Sequence, residues 1–360
     1  MTLRAHSLLV LALLALGACR APSSEASARA SDPRIPPVGR EFVACGRRFF
    51  VGAPVVLWDQ APGYDATSEH ARFGPDREGP DAPRGLRYQP GRKARGDEGE
   101  ILVEPGSDDL DRLREVVDQF VLHYDVAGTS GRCFQVLQDA RGLSVHFLLD
   151  VDGTIYQTLD LRDQAWHATK ANTRSIGIEI ANLGAYPPGN AKPLDEAYSV
   201  DAAGPYSVER GGPPGGGVRT PGFVARPARS ERIRGVVQGI ELEQFDFTRE
   251  QYDSLAKLAA ALCVVFPRMA PDAPRDAQGL VRSGVLADEE FEEFSGILGH
   301  FHVQSNKQDP GPAFDWEGFL ADVKARLTPG ERLSGLPRPV RAASALAARP
   351  ANVHPSPRRP

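Results

Sequence analysis

Residues 142–183 read GLSVHFLLDVDGTIYQTLDLRDQAWHATKANTRSIGIEIANL. Two apolar runs, 142–150 and 154–160, flank Asp150-Val151-Asp152-Gly153, a turn sequence that folds them into a hairpin. A third run, 175–183, reads as a buried strand with a carboxylate, Glu179, in its middle. Ile176, Ile178 and Ile180 alternate away from Glu179, while Gly177 shares its face and leaves room beside it. Such a carboxylate either faces solvent from an alternating strand or is buried with a partner or a raised pKa.

Upstream, FVLHY (120–124) is a short apolar strand with His123 near its end. Ser107 is expected to cap a helix in which Leu110, Leu113, Val116, Val117 and Phe120 share one face. Downstream, Thr248 and Gln251 form a capping box for a helix that buries Leu255, Leu258, Ala259, Leu262 and Phe266. GILGH (296–300) is the last strand, and Trp316, Phe319, Leu320 and Val323 mark a closing amphipathic helix. This order of helix, strand, hairpin, strand, helix, strand and helix predicts the α/β class. It implies a single domain with a central mixed β-sheet flanked by helices.

The domain is expected to span 101–328, interrupted at about 186–243 by a Pro/Gly-rich insertion too long for an ordinary connection. We read that insertion as lying near the site, a candidate lid. Residues 41–100 form an N-terminal extension, strand-like over 41–58 and loop over 59–100. Residues 19–40 and 329–360, poor in large apolar side chains, read as a disordered tether and tail.

The first eighteen residues read as an export signal, with Arg4, the apolar run LLVLALLAL and small residues after it. That run is too short to span a bilayer as a permanent helix. Leu16-Gly17-Ala18-Cys19 resembles a bacterial lipobox, which implies lipidation of Cys19 and attachment to a membrane through acyl chains. Arg20, in place of Asp after the lipidated residue, points to the outer membrane, facing the periplasm. A net charge of -5, a pI near 6.0 and the lack of a basic run exclude nucleic acid as the main partner. Cys45, Cys133 and Cys263 allow one disulfide with a free thiol or three buried thiols. Nothing in the sequence fixes an oligomeric state.

The chemistry gathers in GHFHVQSNKQDPGPAFDW (299–316), where His300, Lys307 and Asp309 precede a Pro-Gly-Pro run that cannot continue a helix or a central strand. A rigid turn suits a metal ligand, although a surface histidine and a turn-forming aspartate would look the same. His123 adds a second imidazole. Two histidines and a carboxylate, with water in the fourth position, are a ligand set of catalytic zinc sites. Glu179 is the candidate base beside them. His302 is an alternative ligand, since i and i+2 share a strand face, and His146 reads as packed or as support for a ligand.

HYD (123–125), HFLLDVDGTIYQ (146–157), AWHA (165–168), SIGIEI (175–180) and the 299–316 stretch resemble, in order, the zinc-dependent N-acetylmuramoyl-L-alanine amidases. That fold is shared by phage lysozyme-type amidases, anhydro-muropeptide amidases and peptidoglycan recognition proteins. The resemblance covers roughly 115–183 and 248–325. It implies Zn2+ held by His123, His300 and Asp309, with Glu179 as catalytic carboxylate and Lys307 steadying the transition state. Trp166, His167 and Asn172 are implied as substrate contacts. Aspartate rather than cysteine as third ligand is similar to the anhydro-muropeptide branch. The phage-type branch has a tyrosine where this chain has Val145. The implied reaction is zinc-hydroxide hydrolysis of the bond between the N-acetylmuramoyl lactyl group and L-alanine, on peptidoglycan or muropeptides. The alternative is a non-catalytic peptidoglycan-binding lipoprotein on the same fold.

Overall fold

A computed structural model describes residues 38–327, apart from 77–78, 80–81, 97–98, 209–212 and 214–215. The signal segment 1–18, Cys19, the tether as far as residue 37 and the tail 329–360 lie outside the described residues.

The strands, in chain order, are β1 (Gly39–Ala44), β2 (Arg47–Leu57), β3 (Tyr88–Gln89), β4 (Arg92–Gly96), β5 (Gly99–Val103), β6 (Gln119–Tyr124), β7 (Phe147–Leu149) and β8 (Ile155–Gln157). They continue as β9 (Gln164–Ala165), β10 (Ser175–Ile180), β11 (Tyr198–Asp201), β12 (Gly204–Ser207), β13 (Ile233–Val237), β14 (Ile240–Gln244) and β15 (Gly296–Gly299). The α-helices are α1 (Leu110–Val116), α2 (Ser130–Phe134), α3 (Lys192–Ala197), α4 (Arg249–Val265), α5 (Asp288–Glu293), α6 (His300–Val303) and α7 (Trp316–Leu327).

The central sheet has seven strands in the order β1-β2-β8-β7-β10-β6-β15. β7–β10, β10–β6, β6–β15 and β2–β8 are parallel, and β1–β2 and β7–β8 are antiparallel, so the sheet is mixed. Its parity follows from the alternation in the sequence. Phe120 and Leu122 of β6, Ile176, Ile178 and Ile180 of β10, and Ile297 of β15 enter the main core with Leu255, Leu258, Leu262, Phe319 and Leu320 of α4 and α7. Each such side chain, fully buried, stabilises the fold by about 1.5–3 kcal/mol relative to exposure. The opposite face is divided. One end packs Leu148 and Tyr156 against Cys133 and Phe134, and the other packs Val121 and Leu298 against Phe291 and Val303. His123 and Glu179 lie on that face.

Several elements differ from the sequence reading. β1 and β2, expected as part of an extension, are strands of the central sheet, because β2 pairs with the hairpin strand β8. β1 also begins at Gly39, inside the expected tether. Residues 92–100, expected as loop, belong to the β4–β5 hairpin. α1 is capped by Asp109, whose side chain accepts from the Arg112 N–H, and it ends at Val116. Ser107 instead accepts from the Asp109 N–H, and Phe120 belongs to β6. The capping box of α4 forms as expected: Thr248 Oγ1 accepts from the Gln251 N–H, and Gln251 Oε1 accepts from the Thr248 N–H. Cys45, Cys133 and Cys263 are buried free thiols. The strand expected to end in His300 stops at Gly299, and His300 opens the short helix α6.

Candidate active site

β6 and β10 run parallel with Glu179 directly beside His123. Parallel partners in register point to the same face, so the strand pairing alone sets carboxylate next to imidazole. β15 flanks β6 on the other side and delivers His300 at the start of α6. The turn after α6 brings in Asp309, whose carbonyl accepts from the Phe301 N–H. Gly311, at φ +88°, keeps that turn close to Gln244, where a Cβ would lie 2.1 Å from Oε1. Gln244 holds the turn by donating from Nε2 to the Pro310 carbonyl and accepting the Ala313 N–H.

His123 Nδ1, His300 Nδ1 and Asp309 Oδ2 lie 2.9 Å from one another in each pair. All three residues are buried. The other nitrogens of the two rings decide the tautomers. His300 Nε2 lies 2.7 Å from Gln304 Oε1, an acceptor, and so carries the proton. His123 Nε2 lies 3.0 Å from His167 Nδ1, and His167 Nε2 lies 3.2 Å from Ser175 Oγ. With His123 donating to His167, and His167 to Ser175, both Nδ1 atoms turn lone pairs towards Asp309. Three mutually adjacent acceptors need a positive charge between them. A tetrahedral zinc with bonds of about 2.0–2.1 Å spaces its ligand atoms about 3.3 Å apart, so a slight opening of the triangle would accommodate it. The donor set of two imidazoles and a carboxylate also fits zinc.

The electrostatics agree. Burial, followed by the neighbouring His300, lowers the pKa of His123 to about 4, against the opposing pull of Asp309. Burial pushes Asp309 up, but the adjoining His300 and His123 hold its carboxyl well below the usual range. Glu179 moves the other way. Burial, then Asp309 and Asp125, raise its pKa well above the ordinary carboxylate value, and Lys307 and Arg141 partly offset them. Oε2 of Glu179 is buried and meets no hydrogen-bond partner among the described residues.

Of the expected substrate contacts, Trp166 and His167 are half-buried. His167 fills the space that Gly177 leaves, where a Cβ would lie 2.5 Å from its Nδ1. The room beside Glu179 therefore holds a supporting imidazole. Asn172 turns its Oδ1 inward to the N–H groups of His167 and Ala168. His302 does not join the triangle: its Nδ1 accepts from the Gly299 N–H and its Nε2 faces the Arg282 carbonyl at 2.7 Å. A helix, unlike a strand, turns i and i+2 to different sides. His146 supports β10, accepting the Gly177 N–H at Nδ1. Gln304 and Ser175 were missed, because polar residues of this kind give no local signal of facing an imidazole.

The family model described as N-acetylmuramoyl-L-alanine amidase matches residues 113–205, a stretch that includes His123, His167 and Glu179. Over that stretch the chain is similar to the N-acetylmuramoyl-L-alanine amidases. No curated protein matches it. Among solved structures, a selenomethionine derivative of AmpD shares 19% identity at a TM-score of 0.29, covering 60% of this chain and 87% of that chain. The endolysin amidase LysCS from Clostridium intestinale URNW shares 14% at 0.31, covering 59% and 86%. AmiD from E. coli, complexed with anhydro-N-acetylmuramic acid-L-Ala-D-gamma-Glu-L-Lys, shares 18% at 0.32, covering 57% of each chain.

Proposed function

We propose that this protein hydrolyses the amide between the N-acetylmuramoyl lactyl group and L-alanine of peptidoglycan or muropeptides, with Zn2+ held by His123, His300 and Asp309. The observation that carries the reading is the triangle of Nδ1, Nδ1 and Oδ2 at 2.9 Å spacing, with Glu179 in register beside it. Bound there, zinc would supply Lewis acidity, making water nucleophilic near neutral pH and polarising the amide carbonyl.

The chain's own residues do the rest. His167 and Gln304 hold the two imidazoles in the tautomers that leave Nδ1 free. Glu179, with a raised proton affinity and a free Oε2, takes the proton from the attacking water and hands it to the leaving amine of L-alanine. Lys307, whose charge reaches both Glu179 and His123, is the cation assigned to stabilise the negative charge that grows on the carbonyl oxygen. A donor in that role lowers the barrier by about 3–4 kcal/mol. We further propose that the protein is exported and held by lipid at Cys19, a reading that rests on the sequence of its first twenty residues.

The test is metal analysis of the purified protein together with mass spectrometry of digested cell wall. One zinc per chain, new lactyl carboxyl ends and free L-alanine amines are expected. Glu179→Gln should keep the metal and lose activity by about 10²–10⁴-fold. A wild-type digest without new L-alanine amines would overturn the reaction. Binding of wall without turnover by the zinc-loaded protein would favour the binding-only alternative.

A further inference from the structure

The insertion does more than connect. Its β13–β14 hairpin turns at Gln238 and Gly239, both at positive φ (+53° and +74°). A two-residue hairpin turn of this kind favours Asn-Gly, and a glutamine in the left-handed region costs about 1 kcal/mol. The side chain gives a reason for its presence. Gln238 Nε2 donates to the carbonyls of Phe301 (2.7 Å) and Gln304 (3.0 Å), and its Oε1 accepts the Val285 N–H at 3.1 Å. The Gln238 N–H donates to the Ser283 carbonyl at 2.8 Å. Every hydrogen-bonding direction of the side-chain amide but one acceptor lone pair is therefore engaged.

Those contacts converge on one imidazole. Phe301 lies within the turn of helix that starts at His300 and Gln304 follows it, and the Gln304 side chain faces His300 Nε2. At the other end of the same hairpin Gln244 grips the Pro310–Ala313 turn that carries Asp309, and Gly235 lies against Pro312. Two of the three atoms of the triangle are thus held from the insertion.

We infer that Gln238 is a positioning residue for the metal centre, and that the β13–β14 hairpin is a strut for His300 and Asp309 rather than a lid over the substrate. The inference rests on the zinc reading given above. Removing the amide frees α6 to shift, and the Nδ1 of His300 with it, while the hairpin itself loses nothing it needs.

Gln238→Gly separates these effects, since glycine is at home at positive φ and leaves the turn unstrained. The full chain would be stripped of metal and titrated with zinc against a chelator, and with cobalt while its visible absorption is followed. The expected result is zinc affinity lower by about 10–100-fold and an altered cobalt spectrum, in a metal-free protein that still unfolds cooperatively. Gln238→Asn keeps the turn preference and the amide but is one methylene short, and it should fall between the two. Val236→Ala, an exposed change on the same hairpin, should bind as the wild type does. If Gln238→Gly matches the wild type in affinity and spectrum, or Val236→Ala is weakened as much, the inference fails and the zinc reading stands. A wild-type chain that takes up neither metal removes both.

Discussion

A methyl group added at Gly177 would sit 2.5 Å from Nδ1, 2.6 Å from Cε1 and 2.7 Å from Cγ of His167. Real side chains do not approach that closely, so the His167 ring would have to leave, and with it the contact to His123 Nε2. Gly177→Ala should therefore act on the metal centre without touching a ligand. The expected outcome is zinc affinity reduced by about 10–100-fold, read by chelator competition, with a stability loss of about 1–3 kcal/mol from overpacking. Unchanged zinc affinity would mean that His167 does not orient His123. At this scale the sequence is legible where chemistry is unusual for its setting: a carboxylate among isoleucines, or an aspartate before Pro-Gly-Pro. It is silent where two side chains 44 residues apart meet, as His123 and His167 do. That Gly177 leaves room could be read from its alternation with Glu179. What fills the room could not.

Among the elements, β4 shows how far a charged segment can be drawn into the fold. Arg92 is 1% exposed. Its guanidinium donates to the carbonyls of Leu161, Asn172, Thr173 and Ser175 and lies 2.8 Å from His146 Nε2. Burial lowers its pKa to about 10, so it remains a cation near neutral pH. It ties the 92–103 hairpin to the segment that carries Asn172 and leads into β10. Arg92→Met would leave buried carbonyls without donors, each costing about 1–3 kcal/mol. We expect a loss of more than about 3 kcal/mol in urea unfolding of the metal-free protein. Lysine, with one compact ammonium, should not restore it. A loss under about 1 kcal/mol would show that these carbonyls find other partners. Arginine in a Gly- and Pro-rich stretch looks like surface loop, because lone arginines are rarely buried. Strands β6, β7, β8 and β10 and helices α4 and α7 were readable from periodicity and caps. The pairing of β2 with β8 was not, since register between distant strands leaves no mark in either strand's own pattern.

At the scale of the whole molecule, segments outside the resemblance join the fold: β1–β2 extends the central sheet, and the β13–β14 hairpin donates from Gln238 and Gln244 to the Phe301, Gln304 and Pro310 carbonyls. Among the described residues no helix is long and apolar enough to cross a membrane. The attachment proposed above is through acyl chains at Cys19. Each buried methylene contributes about 0.8 kcal/mol, yet a single myristoyl chain binds membranes only reversibly, at about 10⁴ M⁻¹, and two or more chains are needed for stable anchoring. A lipidated Cys19 carries more than one chain, so loss of its thiol should convert stable attachment into release, with no intermediate state. Expressed in a bacterium that processes lipoproteins, the wild-type protein should sediment with membranes, and Cys19→Ser should move to the soluble exported fraction. Retention of Cys19→Ser in the membrane pellet would rule out a lipid anchor. The substitution lies far in sequence from every residue of the proposed site, so the released protein should keep its zinc content and its activity on soluble muropeptides. Activity on those fragments, measured beside the fractionation, distinguishes a protein that has lost its anchor from one that has lost its fold.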